Sequence, residues 1–404
     1  MNFRVIVLWG MMFGALFAQP GLSAPAPIGQ QNFFHFHWQA GGWSLIDPQG
    51  QRFFIKGVHG IRYIGDNLAG GKASPYHKAV EEQFHSDQGA WARQAVTRIK
   101  QWGFNTIGAS SDVGLNSRGL PYVILLKLSE GTYVQGGEIP DVFSQSWRDT
   151  VSRNISRITP QTIIDKNLIG YFTDNEFNWW GVYKGKVNLL QLYLHLPKAA
   201  PGYSKAMEYI VQNHLDAAHI SDEDADGFRE IVAREYFSYT YKQLKLRDPN
   251  HLVLGCRFRT NDVLTPVLRG MRGNVDAVSW NRYGYPIPQG TGTRIREITN
   301  LPLIISEFSF AATDSGLGFN VSKAVAGIMV ITQHQRSLQL KAYLAEMKQE
   351  PNLVGYIWYK YSDNPVQGAW TASGENYNWG LVDNMNKPYS ALTQSFKNLN
   401  GLYH

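Results

Sequence analysis

Eight short apolar runs, at residues 53–58, 104–108, 122–128, 168–173, 252–258, 275–281, 303–306 and 354–359, recur along this chain with polar or helix-spaced segments between them. Runs this short, apolar at nearly every position rather than at every second one, suit strands buried on both faces. Apolar residues at helical spacing fill gaps at 89–102, 144–158, 228–246 and 321–349. Strands alternating with helices build a parallel sheet, and eight such units predict an α/β fold, a (β/α)8 TIM barrel. Ahead of the first run, GGWSLIDPQGQRFFIKGV sets a Pro-Gln-Gly turn between two alternating stretches, an N-terminal hairpin. Between the fourth and fifth runs, residues 176–252 exceed one helix and predict a long insertion after strand 4, near the barrel mouth.

Barrels of this kind often use 250 residues or more as one unit, so the 404 residues here read as a single catalytic domain over 42–404. With 44% hydrophobic and 17% charged residues the chain can bury a large core. Arg4, the apolar run 5–18 and the small, Pro-rich stretch 24–27 read as a secretory signal peptide over 1–24 and a linker over 25–41. The destination is the periplasm or the extracellular medium, and the sequence does not choose between them. No later stretch offers the ~18 apolar residues of a membrane span. Cys256 is the only cysteine, so no internal disulfide is expected.

The net charge of +6 comes from 38 basic and 32 acidic residues that are scattered rather than clustered, which argues against a nucleic-acid partner. No Cys/His cluster suggests zinc and no Gly-rich loop follows a strand, so neither metal nor cofactor is expected. SDEDADGF begins like a calcium loop, but Ala233 stands where the bidentate glutamate belongs, and Ser221 with Asp224 reads instead as a helix cap. Aromatics reach 13%, with 12 Trp and 21 Tyr. That suits a cleft that stacks on sugar rings and equally the bulky core of a barrel. Oligomeric state is not legible.

In barrels of this kind the reacting groups sit where strands end. Two carboxylates hold such positions: Glu176 in GYFTDNEFNWW and Glu307 in PLIISEFSF. Glycoside hydrolysis needs an acid for the leaving oxygen and a carboxylate on the opposite face, and glutamates ending strands four and seven would face each other across the mouth. Retention and inversion differ in the distance between them, which a sequence does not give. Chemistry at neutral pH asks that one carboxyl be kept protonated by burial and by its ionised partner, and that the other be held charged by hydrogen bonds. Asp174 either tunes Glu176 or binds a sugar hydroxyl if the strand persists to it. His59 and Arg62, ending the first strand, either meet substrate or, for Arg62, pair with a structural acid.

Asn-Glu after strand four and Ser-Glu-Phe after strand seven resemble the large clan of glycosidases (clan A, the 4/7 superfamily) whose catalytic glutamates end those strands. Within it the chain looks most like the β-agarases of glycoside hydrolase family 50, on RFFIKGV, GYFTDNE, VSWNRYGYP, IISEFSF, GYIWYKYSDNP and GENYNWGLVD, which span almost the whole mature chain. The resemblance implies a retaining mechanism on a β-galactoside-containing carbohydrate, with Glu176 as acid/base and Glu307 as nucleophile. It implies that Asn175 bonds the sugar 2-hydroxyl, Tyr283 orients the nucleophile, and Trp358 stacks under the reacting sugar. Asp363, Trp370, Glu375 and Trp379 would line the adjoining loop. The chain departs from the pattern in lacking room for the N-terminal β-sandwich many agarases carry, which leaves the sugar open while hydrolysis stands. A non-catalytic carbohydrate-binding barrel is the alternative of a different class.

Overall fold

The computed structural model describes residues 25–39, 41–182, 187–261, 263–317, 328–370 and 374–403. The expected leader, 1–24, lies outside them. The described chain opens with β1 (His35–Gln39), β2 (Gly42–Ile46) and β3 (Arg52–Phe53), an antiparallel sheet in that order. Strand β1 falls within the stretch expected to be linker, because Phe34 and Phe36 carry apolar surface that must be covered. The turn between β2 and β3 is closed by Asp47, whose Oδ1 accepts from the backbone N–H groups of Gln49 and Gln51 at 2.9 and 2.8 Å.

There follow β4 (Ile55–Val58), β5 (Thr106–Ile107), β6 (Tyr122–Leu125), β7 (Leu168–Asn175), β8 (Gly181–Val182), β9 (Val187–Asn188), β10 (Leu252–Arg257), β11 (Val278–Asn281), β12 (Leu303–Phe308), β13 (Ala311–Ala312), β14 (Met329–Val330) and β15 (Leu353–Trp358). Helices α1 (Pro75–Phe84), α2 (Gln88–Gln101), α3 (Gln145–Thr162), α4 (Leu189–Leu194), α5 (Pro201–Gln212), α6 (Asp222–Arg247), α7 (Thr265–Met271), α8 (Thr291–Thr299), α9 (Gln333–Met347) and α10 (Ser390–Asn400) lie between or after them. Eight strands form one parallel sheet in the order β10-β7-β6-β5-β4-β15-β12-β11. Its end strands meet through Phe258 N–H to Ser279 O and Asn281 N–H to Phe258 O, both 2.8 Å, so the sheet curls into a nearly closed barrel.

Several elements differ from the sequence reading. The first expected run is divided: Phe53 belongs to the small sheet and only β4 enters the barrel. The gap between β5 and β6, where no helix was expected, holds a single 3-10 turn at Val113–Leu115. Of the helix expected over 321–349, the described residues show α9, while 329–330 pair with β13 as β14 and 321–327 lie outside the described residues. Between β7 and β10 the described chain forms an antiparallel pair, β8 with β9, then α4, α5 and the 26-residue α6. Ser221 and Asp224 cap α6 reciprocally: Ser221 Oγ accepts from Asp224 N–H at 3.1 Å and Asp224 Oδ2 from Ser221 N–H at 2.9 Å.

Two apolar layers hold the barrel. Val123, Ile169, Phe172, Leu254, Ile304 and Ile357 fill its interior together with Phe34, Phe36, Trp43 and Leu45 of the small sheet, which plug one end. Residues on the alternate phase, among them Tyr171, Val253, Ile305, Tyr356 and Trp358, pack outward against the helices.

Candidate active site

The other end of the barrel opens into a cavity of about 870 Å³ whose lining includes both Glu176 and Glu307. Their surroundings are unlike. Strand β7 ends at Asn175, and Glu176 takes the left-handed conformation at φ 53°, which a residue with a Cβ adopts only when its neighbours hold it. Its backbone N–H donates to Arg257 O at 2.9 Å and its carbonyl accepts from Arg259 Nη2 at 3.0 Å, so the turn is pinned from both sides. The carboxylate stays 28% exposed, with Oε1 accepting from Asn281 Nδ2 at 2.9 Å and Arg259 Nε 3.9 Å from Oε2. Asn281 Nδ2 also reaches Asn175 Oδ1 at 3.0 Å, and Ser306 Oγ donates to Asn281 Oδ1 at 2.8 Å, which fixes the orientation of that amide.

Glu307 is the last residue but one of β12, with its side chain only 9% exposed. Arg257 Nη1 donates to its Oε1 at 2.6 Å and the Tyr283 hydroxyl to its Oε2 at 3.1 Å. Burial nonetheless pushes this carboxyl up, to about 7; the Arg257 guanidinium pulls the other way, the charge of Glu176 adds to the rise, and Tyr283 lowers it slightly. Neutral-pH chemistry asks for burial at the acid and for hydrogen bonds at the charged partner. The structure gives burial to Glu307, because β12 is enclosed by β11 and β15 up to its last residues.

Arg257 reaches Glu307 because β10 is irregular. Gly255, at φ +76°, sits between two register shifts of β10 against β7, and such a bulge re-aims the residues after it. The guanidinium is buried and lies over the Phe172 ring, 5.5 Å from its centroid. His59 Nε2 is 2.7 Å from Ser306 O and 3.3 Å from Arg257 Nη1, the shorter contact assigning its proton to Nε2. Burial and then the Arg257 charge depress this imidazole to about 3, so it is neutral scaffolding beneath Glu307.

Of the other residues singled out from sequence, Arg62, Asn175, Tyr283, Glu375 and Trp379 line the cavity with His59. Trp379 stacks on Tyr377 at 4.6 Å, and burial raises the Glu375 carboxyl against the pull of Lys360. Asp174 also borders the cavity but is 1% exposed, and its carboxylate accepts from Ser129 N–H, Ser129 Oγ and the Tyr236 hydroxyl rather than facing Glu176. Burial pushes it up to about 7 despite those donors.

Three expected residues lie elsewhere. Trp358 is fully buried on the outward phase of β15, against Phe308, Phe310 and Phe396, with its Nε1 on Trp379 O at 3.1 Å; the ring facing the cavity here is Tyr359. Asp363 is buried beneath the rim, accepting from Asn378 Nδ2, Gly380 N–H and the Tyr389 hydroxyl, and ties the loop 360–380 together. Trp370 is 66% exposed outside the cavity, its backbone N–H held by Asn67 O.

Sequence reasoning passed over Arg257, Asn281 and the cluster in which Lys360 and Asn364 both donate to Asp66. A trace existed for the first two: an arginine two residues after a glycine inside an apolar run suggests a bulge, and Asn281 stands in the same WNRYGYP segment as Tyr283. Asp66 lay in a loop with no pattern to draw attention to it.

No protein-family model matches the chain. Two curated proteins of Vibrio sp. (strain JT0107), Beta-agarase A and Beta-agarase B, are each 25% identical to it, over 90% and 91% of this chain and 45% and 48% of theirs. By sequence, the chain is similar to β-agarases. It spans about half the length of these curated relatives. Among solved structures, an agarase, AgWH50C, superposes with a TM-score of 0.79 at 24% identity, covering 94% of this chain and 64% of that one. An exo-beta-agarase gives 0.79 at 20% identity, covering 93% and 66%. These agarases share the barrel fold found here.

Proposed function

We propose that the chain is an exported retaining β-glycosidase of the glycosidase clan with catalytic glutamates on strands four and seven. Its substrate would be an agar-type, β-galactoside-containing polysaccharide or oligosaccharide, and residues 1–24 would be its secretory signal. The observation that carries this reading is the pair Glu176 and Glu307 at the ends of β7 and β12 on one cavity, each held by its own set of donors. Similarity to two β-agarases over nine-tenths of the chain supports the substrate class.

In the double displacement, Glu176 gives its proton to the glycosidic oxygen as Glu307 attacks the anomeric carbon; the C–O bond breaks and a glycosyl ester forms on Glu307. Glu176, now a carboxylate, takes a proton from water, which attacks the same carbon and releases the sugar with its original configuration. Arg257 and Tyr283 hold the two oxygens of Glu307 so that one can leave its donor for carbon without the side chain swinging. Asn281 holds Asn175 and Glu176 together, placing the amide for the sugar 2-hydroxyl beside the acid. None of these steps calls for a cofactor or metal.

Following the anomers released from agarose oligomers by NMR tests the stereochemistry: the β-anomer first means retention, the α-anomer first means inversion. Glu307→Gln should lose turnover by orders of magnitude while still binding oligomer. A variant that loses nothing would make the chain a binding protein.

A further inference from the structure

The two walls of the cavity differ in a way that orients the sugar chain. On the side of Glu307, the aromatic rings Tyr377 and Trp379 are buried against one another, and the charged Lys360–Asp66 pair stands beside Glu375. On the side of Glu176 the lining comes from the segment after β6, residues 126–144, and it carries Tyr133, a large aromatic 46% exposed. Nothing in the sequence argument or the agarase resemblance singled this residue out.

Three features fix Tyr133 as a rigid face. Phe177, the neighbour of Glu176, meets its ring edge-on at 6.0 Å and 84°. Tyr133 bridges antiparallel to Pro140, and Val134 N–H donates to Ile139 O at 3.0 Å, closing the turn. Glu138 in that turn binds Arg259 Nη2 at 2.7 Å, and its carbonyl accepts from Asn178 N–H at 3.3 Å, which ties the turn to the strand end bearing Glu176. An exposed ring so braced has no packing task left for its free face.

We infer that Tyr133 is the stacking platform of the leaving-group subsite, taking the pyranose ring immediately beyond the bond that is cut. The inference rests on Glu176 being the acid: the proton goes to the leaving oxygen, so the departing sugar must lie on the Glu176 wall. A pyranose presents a face of C–H groups that matches the negative face of an aromatic ring. The glycone is then enclosed on the Glu307 wall, and the product that leaves first passes over Tyr133.

The test compares agarose oligomers with β-galactosyl fluoride, whose leaving group needs neither platform nor acid. In Tyr133→Ala the preference for oligomer over fluoride, taken as a ratio of kcat/KM values, falls at least about tenfold, ~1.4 kcal/mol. Tyr133→Phe, which keeps the ring, retains the wild-type ratio. In a Glu307→Gln background the same alanine weakens equilibrium binding of the oligomer, which reads the subsite without turnover. An unchanged ratio with unchanged binding, or an equal loss on both substrates, overturns the platform and leaves the hydrolase reading standing. A wild-type protein inert toward both substrates overturns the hydrolase reading, and binding by the Glu307→Gln protein still decides the role of Tyr133.

Discussion

Glu176 and Glu307 are the same residue at the ends of two strands of one sheet, yet one side chain is 28% exposed and the other 9%. Glu176 is positioned chiefly through its backbone, in a left-handed turn that neighbours clamp. Glu307 is positioned through its side chain, by a buried guanidinium and a phenol. A group that must exchange a proton with incoming and outgoing molecules needs access, while one that must attack a single carbon needs a fixed aim. On the proposed mechanism, enclosure is what separates the two roles.

The largest effect separates the walls directly. Glu307→Gln should lower turnover by about 10³-fold or more on both agarose oligomers and β-galactosyl fluoride, since a neutral carboxamide oxygen is a poor nucleophile. Glu176→Gln should cost ~10²–10⁴ on the oligomers and far less on the fluoride. Equal losses from both variants on both substrates would remove the distinction between them.

Arg257→Met should come next. It strips the buried partner from Glu307 and destabilises the fold by ~3–5 kcal/mol, read from urea unfolding. Because the cation opposes the upward push of burial, its loss should also move the acid limb of the pH–rate profile to higher pH. In the unmodified protein that limb should lie above the usual carboxylate range yet below pH 7, because burial raises Glu307 while the Glu176 charge that adds to the rise is absent when Glu176 carries the proton it donates. Below it the attacking carboxylate is protonated, so kcat/KM should fall about tenfold per pH unit and recover as pH rises. A limb near pH 4 would show that the Arg257 pairing outweighs burial.

Asn281→Ala removes the donor shared by Asn175 and Glu176 and should cost about tenfold in kcat/KM, ~1.4 kcal/mol. The smallest catalytic effect belongs to Trp358→Phe, whose ring lies among core aromatics. Stability should drop by ~1–3 kcal/mol in thermal melts while kcat/KM per folded molecule stays within about twofold. A large catalytic loss there would return Trp358 to the sugar.

How much of this was legible follows from what each inference needed. The parallel eight-stranded sheet was, because strands buried on both faces leave apolar runs too short for a helix, and eight of them alternate with helix-spaced or polar segments. The placement of Glu176 and Glu307 on one cavity was, because residues where barrel strands end sit at the barrel mouth. Trp358 was misplaced for lack of phase: a run apolar throughout does not say which residues face inward, and alternation set Trp358 with Tyr356 toward the helices. Strand β1 was missed because a short, His- and aromatic-rich stretch before a turn carries no alternation of its own, and its pairing with β2 supplies the structure.

By itself, then, the sequence determined the order of strands, the two carboxylates that close two of them, and the aromatic, glycine-punctuated loops above. Only the folded chain shows which glutamate is enclosed, that Arg257 crosses from a bulged β10 to meet Glu307, that Asn281 couples Asn175 to Glu176, and that Tyr133 keeps an open face beside Glu176. The reason is physical: burial runs and caps are local and repeat with the period of the backbone. Desolvation, charge pairing and exposure depend on residues far apart in the chain that meet only when the barrel closes, as His59 and Ser306 do across 247 positions.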